Sequence, residues 1–550
     1  MYLPGKINHP AVIDLLVILF TGVILVTYDY RKDMLPDGLL FSVQLCAGWF
    51  LCRILYAYFP SLTLYTCVGI LLFGLVEVVW GLAQLYDFSP SKHRLFKTTG
   101  SFMNPGPYGG LIALMFPLVL HYWLTFRHRK RWIGYLFIFA GAVCMMIFPA
   151  TLSRTAWIAS IAGCLFVLLV DTRIVVRLRI LWRRRKRESI LITTVLCILL
   201  AGSVYGIYHL KKDSADGRLF MWKVTALAIR ESPLKGSGLG GFPAAYAEAQ
   251  MEYFKSGKAT QAEKLVAGSP DYAFNEYLQI FLEQGLTGII LFILLSFLII
   301  RSGIKNGQAG AAGSFLALSV FAFASYPYRL YEFPIAWVLL GTVCVAGTGY
   351  KSIRKDRFNR KNMGFTLLLA GALCSISVVC AIRQRVFYQA KKEWKKQQPL
   401  YRRKAYASVM NDYAELYPVL DHKRKFVFEY GMILNATGEK EKADSIFTRG
   451  LEISCDPMFY NVKGRNYHEM GEYDKAGDCY INSTWLLPER IYPYFLLVKL
   501  YADPANYQPE KMIRAANAVL QREPKVHSMA VTEMRDEVRK ILKEKGAGYE

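Results

Sequence analysis

The chain has 550 residues, 53% of them hydrophobic and only 20% charged, with a mean hydropathy of +0.23 and a formal charge of +25. These values exclude both an ordinary soluble domain and a disordered chain. The eleven cysteines include no CxxC pair, so neither a zinc site nor a disulfide framework is indicated.

Apolar runs of bilayer length lie near 10–27, 38–57, 63–85, 106–125, 132–150, 155–171, 189–208, 277–300, 311–327, 333–349 and 363–382. They predict an all-α, polytopic membrane protein with roughly eleven spans. Asp14 inside the first run, and no small-residue cleavage pattern after it, favour a retained anchor over a signal peptide. The basic clusters Arg127–Arg131, Arg173–Arg187 and Lys351–Lys361 abut these spans and predict cytoplasmic loops, so the positive charge is read as topology and not as nucleic-acid binding. Counting outward puts a long loop, 209–276, and everything after 383 on the opposite side of the membrane.

On that side His93, Arg94 and Lys97 break the charge rule. They are either a statistical exception or cations kept there to hold an anion. Arg154 lies between two spans, where a charge is costly unless it lines a wet, paired site. Four short patterns share this face: Gly100–Gly110 with Asn104, a break that leaves helix N-terminal amides for an anion; Ser153–Trp157 around Arg154; Asp216–Lys223, with Arg218 and Lys223, followed by the glycine-rich Ser232–Phe242; and Asp271–Gln279, with Asn275, Glu276 and Tyr277, running into Glu283–Gly288. Each has a bland counterpart: a turn opening a helix, an interfacial arginine, an amphipathic loop helix, a helix opening on polar caps.

Past residue 385 the sequence becomes amphipathic and charged. Gly431, Leu434, Gly438, Glu439, Ala443 and Phe447 recur 33 residues later as Gly464, Tyr467, Gly471, Glu472, Ala476 and Tyr480. The pattern resembles the tetratricopeptide repeat, a binding scaffold without chemistry of its own. The expected organisation is a membrane domain at 1–385, a helical linker at 386–419 and, on the same side as the long loop, a repeat domain at 420–545.

Taken in order, the four patterns resemble the O-antigen ligase and O-antigen polymerase superfamily, which also includes bacterial protein O-oligosaccharyltransferases; the resemblance covers about 85–300. It implies a glycosyltransferase of a bacterial inner membrane, its site, long loop and tail facing the periplasm, that moves a glycan en bloc from undecaprenyl pyrophosphate to an acceptor hydroxyl, on lipid A core or an exported protein, without a metal or other cofactor. Arg154 and Arg218 match the family's functional arginines, with Arg94, Lys97, Asn104, Lys223, Asn275 and Tyr277 as further substrate-binding candidates. The family's usual histidine is missing: Phe274, or else Tyr272, stands in its place, and neither is a base near neutral pH. Glu276, ahead of Asp271, is the candidate substitute; otherwise leaving-group stabilisation suffices, or activity has been lost. A polymerase of the same superfamily is the enzymatic alternative. A lipid-linked glycan flippase or a membrane scaffold, its repeats recruiting a protein partner, are the alternatives from other classes.

Overall fold

The computed structural model describes residues 9–29, 36–172, 212–346, 360–524 and 527–546, with isolated positions 182, 186 and 194. The expected span at 189–208 and the basic runs at 173–187 and 351–361 lie outside or almost outside these residues. Among the described residues there are helices and turns and no strand.

Among the described residues, nine helices of the membrane region flank the long loop: α1 (His9–Thr27), α2 (Pro36–Tyr58), α3 (Leu62–Leu85), α4 (Pro105–Phe126), α5 (Arg131–Ile147) and α6 (Arg154–Asp171), then α10 (Glu276–Lys305), α11 (Ala309–Phe323) and α12 (Glu332–Val345). The long loop contributes α7 (Lys212–Glu231), α8 (Phe242–Lys255) and the short α9 (Gln261–Val266). Seven described helices are long and apolar enough to cross a membrane, six of these and α13 (Arg360–Arg402) from Leu367 onward, and α1, α11 and α12 are shorter apolar helices beside them.

The bundle centres on α4, where Gly109 and Gly110 let neighbours approach closely. A Cβ at Gly109 would lie 2.9 Å from Thr151 Oγ1, and one at Gly110 would lie 2.4 Å from the Phe321 ring. Charge inside the bundle is paired, as low dielectric demands: Asp14 of α1 accepts from Arg53 at 3.2 Å and from Trp49 Nε1 at 2.8 Å. At one end His121 and Asp171 meet at 2.5 Å, near Arg127–Arg131; the starts of α4, α6, α10 and α12 are at the other.

α10 is broken. Gly285 has φ +66 and ψ −169, a conformation open in practice only to glycine. The glycine-rich segment after α7 fits into this break by backbone pairing: Ser237 N donates to the Leu282 carbonyl at 2.8 Å, Gly238 N to that of Glu283 at 2.9 Å, and Leu286 N to that of Pro233 at 2.8 Å. The close approach of the Leu234 carbonyl to Gly285 leaves no room for a Cβ.

After α13 come paired helices: α14 (Tyr406–Leu420), α15 (Arg424–Ala436), α16 (Lys440–Ile453), α17 (Met458–Glu469), α18 (Tyr473–Leu486), α19 (Ile491–Ala502), α20 (Pro509–Gln521) and α21 (Met529–Glu544). The 33-residue sequence period has a packing counterpart. Gly431 faces the Phe447 ring and Gly464 the Tyr480 ring, while Ala443 and Ala476 are fully buried between helices. This tail packs on the long loop, with Cys455 and Leu487 joining the apolar cluster of Phe220, Phe242 and Tyr246. Gln250 donates to the Leu486 carbonyl at 2.7 Å, and Cys455 Sγ to that of Pro270 at 2.9 Å.

Candidate active site

Arg154 is the first residue of α6, placed there because Ser153 leaves the helical path. Arg218 lies on α7; its Nη1 donates to the Ala324 carbonyl at 2.9 Å, and its guanidinium sits 5.4 Å over the Phe274 ring. Burial lowers the Arg218 pKa, the Arg154 charge lowers it further, and Tyr326 opposes both. The Arg218 guanidinium nonetheless stays charged at physiological pH. The Arg154 charge is thus close enough to act on Arg218 across this part of the structure.

Aromatic rings flank Arg218. Tyr272 and Tyr326 stack at 4.3 Å, and the Phe274 ring meets Tyr326 edge-on at 5.0 Å. The backbone at Phe274 is left-handed, with φ +51, an uncommon state for a bulky residue. Its neighbour holds it there: Ala273 N donates to Gln279 Oε1 at 2.7 Å, and the Ala273 carbonyl accepts from Trp222 Nε1 at 3.1 Å. Beside Arg218 and Phe274 lies a cavity of about 320 Å³ that reaches to Tyr246 and Pro270.

The remaining candidates of the fourth pattern divide. The Asn275 side chain caps α10, accepting from Tyr277 N at 3.0 Å and Leu278 N at 3.2 Å. Tyr277 donates its hydroxyl proton to the Ser319 carbonyl at 3.0 Å. Glu276 is buried, and its Oε1 accepts from Tyr328 N at 2.8 Å. It belongs to a second polar cluster, in which Arg329 donates to Glu283 Oε1 at 2.6 Å and Gln279 donates to the same oxygen at 2.7 Å. Burial works against the Arg329 charge, but Glu283 and Glu276 outweigh it and raise the pKa. Asp271 is exposed and pairs with Arg424 of the tail at 2.6 Å.

The first pattern differs from the expected anion cradle. Its amides are already engaged: Thr99 N and Gly100 N donate to Gln84 Oε1, each at 2.8 Å, Ser101 N to Glu77 Oε2 at 2.8 Å, and Gly106 N to Asn104 Oδ1 at 2.9 Å. Buried backbone donors take the nearest acceptors, and two polar side chains on α3 supply them. Lys97 makes an exposed pair with Asp87 at 2.9 Å, Arg94 is exposed, and Lys223 is exposed and bound to Glu263 at 2.6 Å. The Lys223 ammonium, with lesser help, holds Glu263 down at about 2 against the effect of burial.

The segment that joins Arg154, Arg218 and the left-handed turn is also the segment with a recognisable relative. Residues 146–293 match the O-antigen ligase family model. No curated protein matches the chain. The O-antigen ligase match includes Arg154, Arg218, Tyr272 to Glu276 and Glu283, and it leaves out Arg94, Lys97, Asn104 and the tail. It supports a glycosyl-transfer role of the ligase and polymerase kind for this multi-pass helical membrane protein.

Sequence reasoning passed over Tyr326 and Arg329. The signal was present: Arg329 lies in a short connector between two apolar runs, the same situation that singled out Arg154.

Proposed function

We propose that the chain transfers a glycan en bloc from undecaprenyl pyrophosphate to an acceptor hydroxyl at the periplasmic face of a bacterial inner membrane. The observation that carries this reading is the Arg154 and Arg218 pair, held together beside the left-handed Phe274 turn within the O-antigen ligase match. In this reading both guanidinium groups bind the pyrophosphate, where bidentate charge-assisted hydrogen bonds are strongest. The acceptor oxygen bonds to the anomeric carbon as the carbon–oxygen bond to pyrophosphate breaks, and the arginines take up the charge that develops on the leaving group. The acceptor proton passes to Glu276 or to the departing phosphate.

Lipid A core, an exported protein and the growing glycan itself are the three acceptor classes that fit this chemistry. Helical repeats of the tetratricopeptide kind beside the long loop favour a protein acceptor or partner. The test is fractionation of the envelope of a deletion strain complemented with the parent, Arg154→Ala or Arg218→Ala. Variants that insert normally should leave the carrier-linked glycan unspent; full complementation by either would sink the reading. Glycan lost from proteins, from lipid A core, or shortened in length identifies oligosaccharyltransferase, ligase or polymerase respectively.

A further inference from the structure

A second cavity, about 430 Å³, opens between α1, α2, α10 and α12, and neither Arg154 nor Arg218 lines it. Its walls are apolar at membrane depth, with Phe20, Ile24, Phe41, Leu45 and Phe292 among them. Its mouth is cationic: Lys391 and Lys423 both reach Asp37, at 3.1 and 3.0 Å, so two ammonium groups share one carboxylate and keep donors to spare. The carboxylates on the other side, Glu276 and Glu283, are engaged with Tyr328 N and Arg329.

Three polar atoms on this cavity's lining are buried without a hydrogen-bond partner: the Gln284 amide oxygen, the Tyr328 hydroxyl and the indole N–H of Trp337. Gln284 is only 4% exposed. Unmatched polar groups at membrane depth are costly, and three around one cavity mark a place that a polar ligand completes. Trp337 lies five positions into α12 from Glu332, about 8 Å deeper than the helix start beside the mouth.

We propose that this cavity binds one glycerophospholipid of the surrounding membrane, its phosphate at Lys391 and Lys423 and one acyl chain along the Phe20 and Phe292 wall. The depth of the unmatched donors favours this class over a polyprenyl phosphate. Ester carbonyls lie just below a phospholipid's phosphate and can accept from Trp337 and Tyr328, whereas a polyprenyl chain carries no acceptor there. The arginine pair does not line this cavity, and Glu276, the candidate proton acceptor of the transfer reaction, stands on its wall.

Native mass spectrometry of the full chain, released from nanodiscs of phosphatidylglycerol and phosphatidylethanolamine, tests this directly. The parent should retain one phospholipid per chain. Ser42→Trp, which fills the cavity from α2, should lose it, while Thr125→Trp at the opposite end keeps it. Equal retention by Ser42→Trp and the parent overturns the proposal, as does retention of undecaprenyl phosphate in place of phospholipid when both are supplied. Should Ser42→Trp fail to fold, the double variant Tyr328→Phe, Trp337→Phe removes the polar atoms and keeps the volume. It should weaken retention about tenfold, and unchanged retention overturns the assignment.

Discussion

Asp271 and Arg424 meet in a 2.6 Å ion pair although 153 positions separate them, which ties the tail to the turn that carries Phe274. Exposed pairs of this kind contribute about 1 kcal/mol or less. Arg424→Ala alone should therefore leave the tail seated. Lys423→Ala removes a partner from the buried Asp37 carboxylate, and the pair of changes should release the tail. Limited proteolysis at the turn between α13 and α14 reads this out: slow cleavage in the single variant, at least tenfold faster cleavage in the double. Fast cleavage in Arg424→Ala would show that the exposed pair matters more than its setting implies.

Acid should loosen the same junction. His422 is buried between Asp37, Asp421 and Lys423; burial lowers its pKa, Lys423 lowers it further, and the two aspartates oppose them. A histidine kept neutral in the fold contributes stability above the ordinary imidazole pKa of about 6.5, and that stability is lost as pH falls toward the depressed value. Proteolytic release of the tail should rise as the pH falls below about 6.5, and His422→Gln should flatten the dependence. An unchanged profile in that variant would assign the acid response to other groups.

Phe274→His tests the residue at the position where the family resemblance expects an imidazole. The left-handed backbone there is one that histidine adopts more readily than most side chains. The variant should fold like the parent and raise turnover by about tenfold to a hundredfold, as a base beside the arginines would. Glu276→Gln should lower turnover by about a hundredfold in the parent background and by less in Phe274→His. Measured glycan transfer that ignores Glu276→Gln in both would remove Glu276 from the reaction.

Gly285→Ala should separate the long loop from α10. The backbone conformation costs a non-glycine residue about 1 to 3 kcal/mol, and the added Cβ meets the Leu234 carbonyl. A lowered melting temperature with earlier cleavage in 232–241 is the expected result. Wild-type melting would show that the break tolerates a side chain.

What the sequence made legible follows from which forces leave a local trace. Apolar runs announce helices because burial in a bilayer requires them, and the 33-residue period announces paired helices because Gly431 and Gly464 must each admit a ring from the next helix. Arg154 and Arg218 stood out as charges near spans, and their proximity required the fold. The break at Gly285, the use of Glu77 and Gln84 by loop amides, and the cavity above α12 arise from contacts between distant segments, and those carry no compositional trace.

The join between the glycine-rich segment and broken α10 is made of main-chain groups, Ser237 and Gly238 to Leu282 and Glu283, and Leu286 to Pro233. Such a seam is indifferent to side-chain identity and intolerant of side-chain bulk. The loop helices Phe242–Lys255 and Gln261–Val266 follow it, held in addition by side chains against α7 and the tail, Gln250 and the Phe242 and Tyr246 cluster among them. Swapping in a loop of different composition should redirect what this face recognises while the helices that hold Arg154 stay where they are.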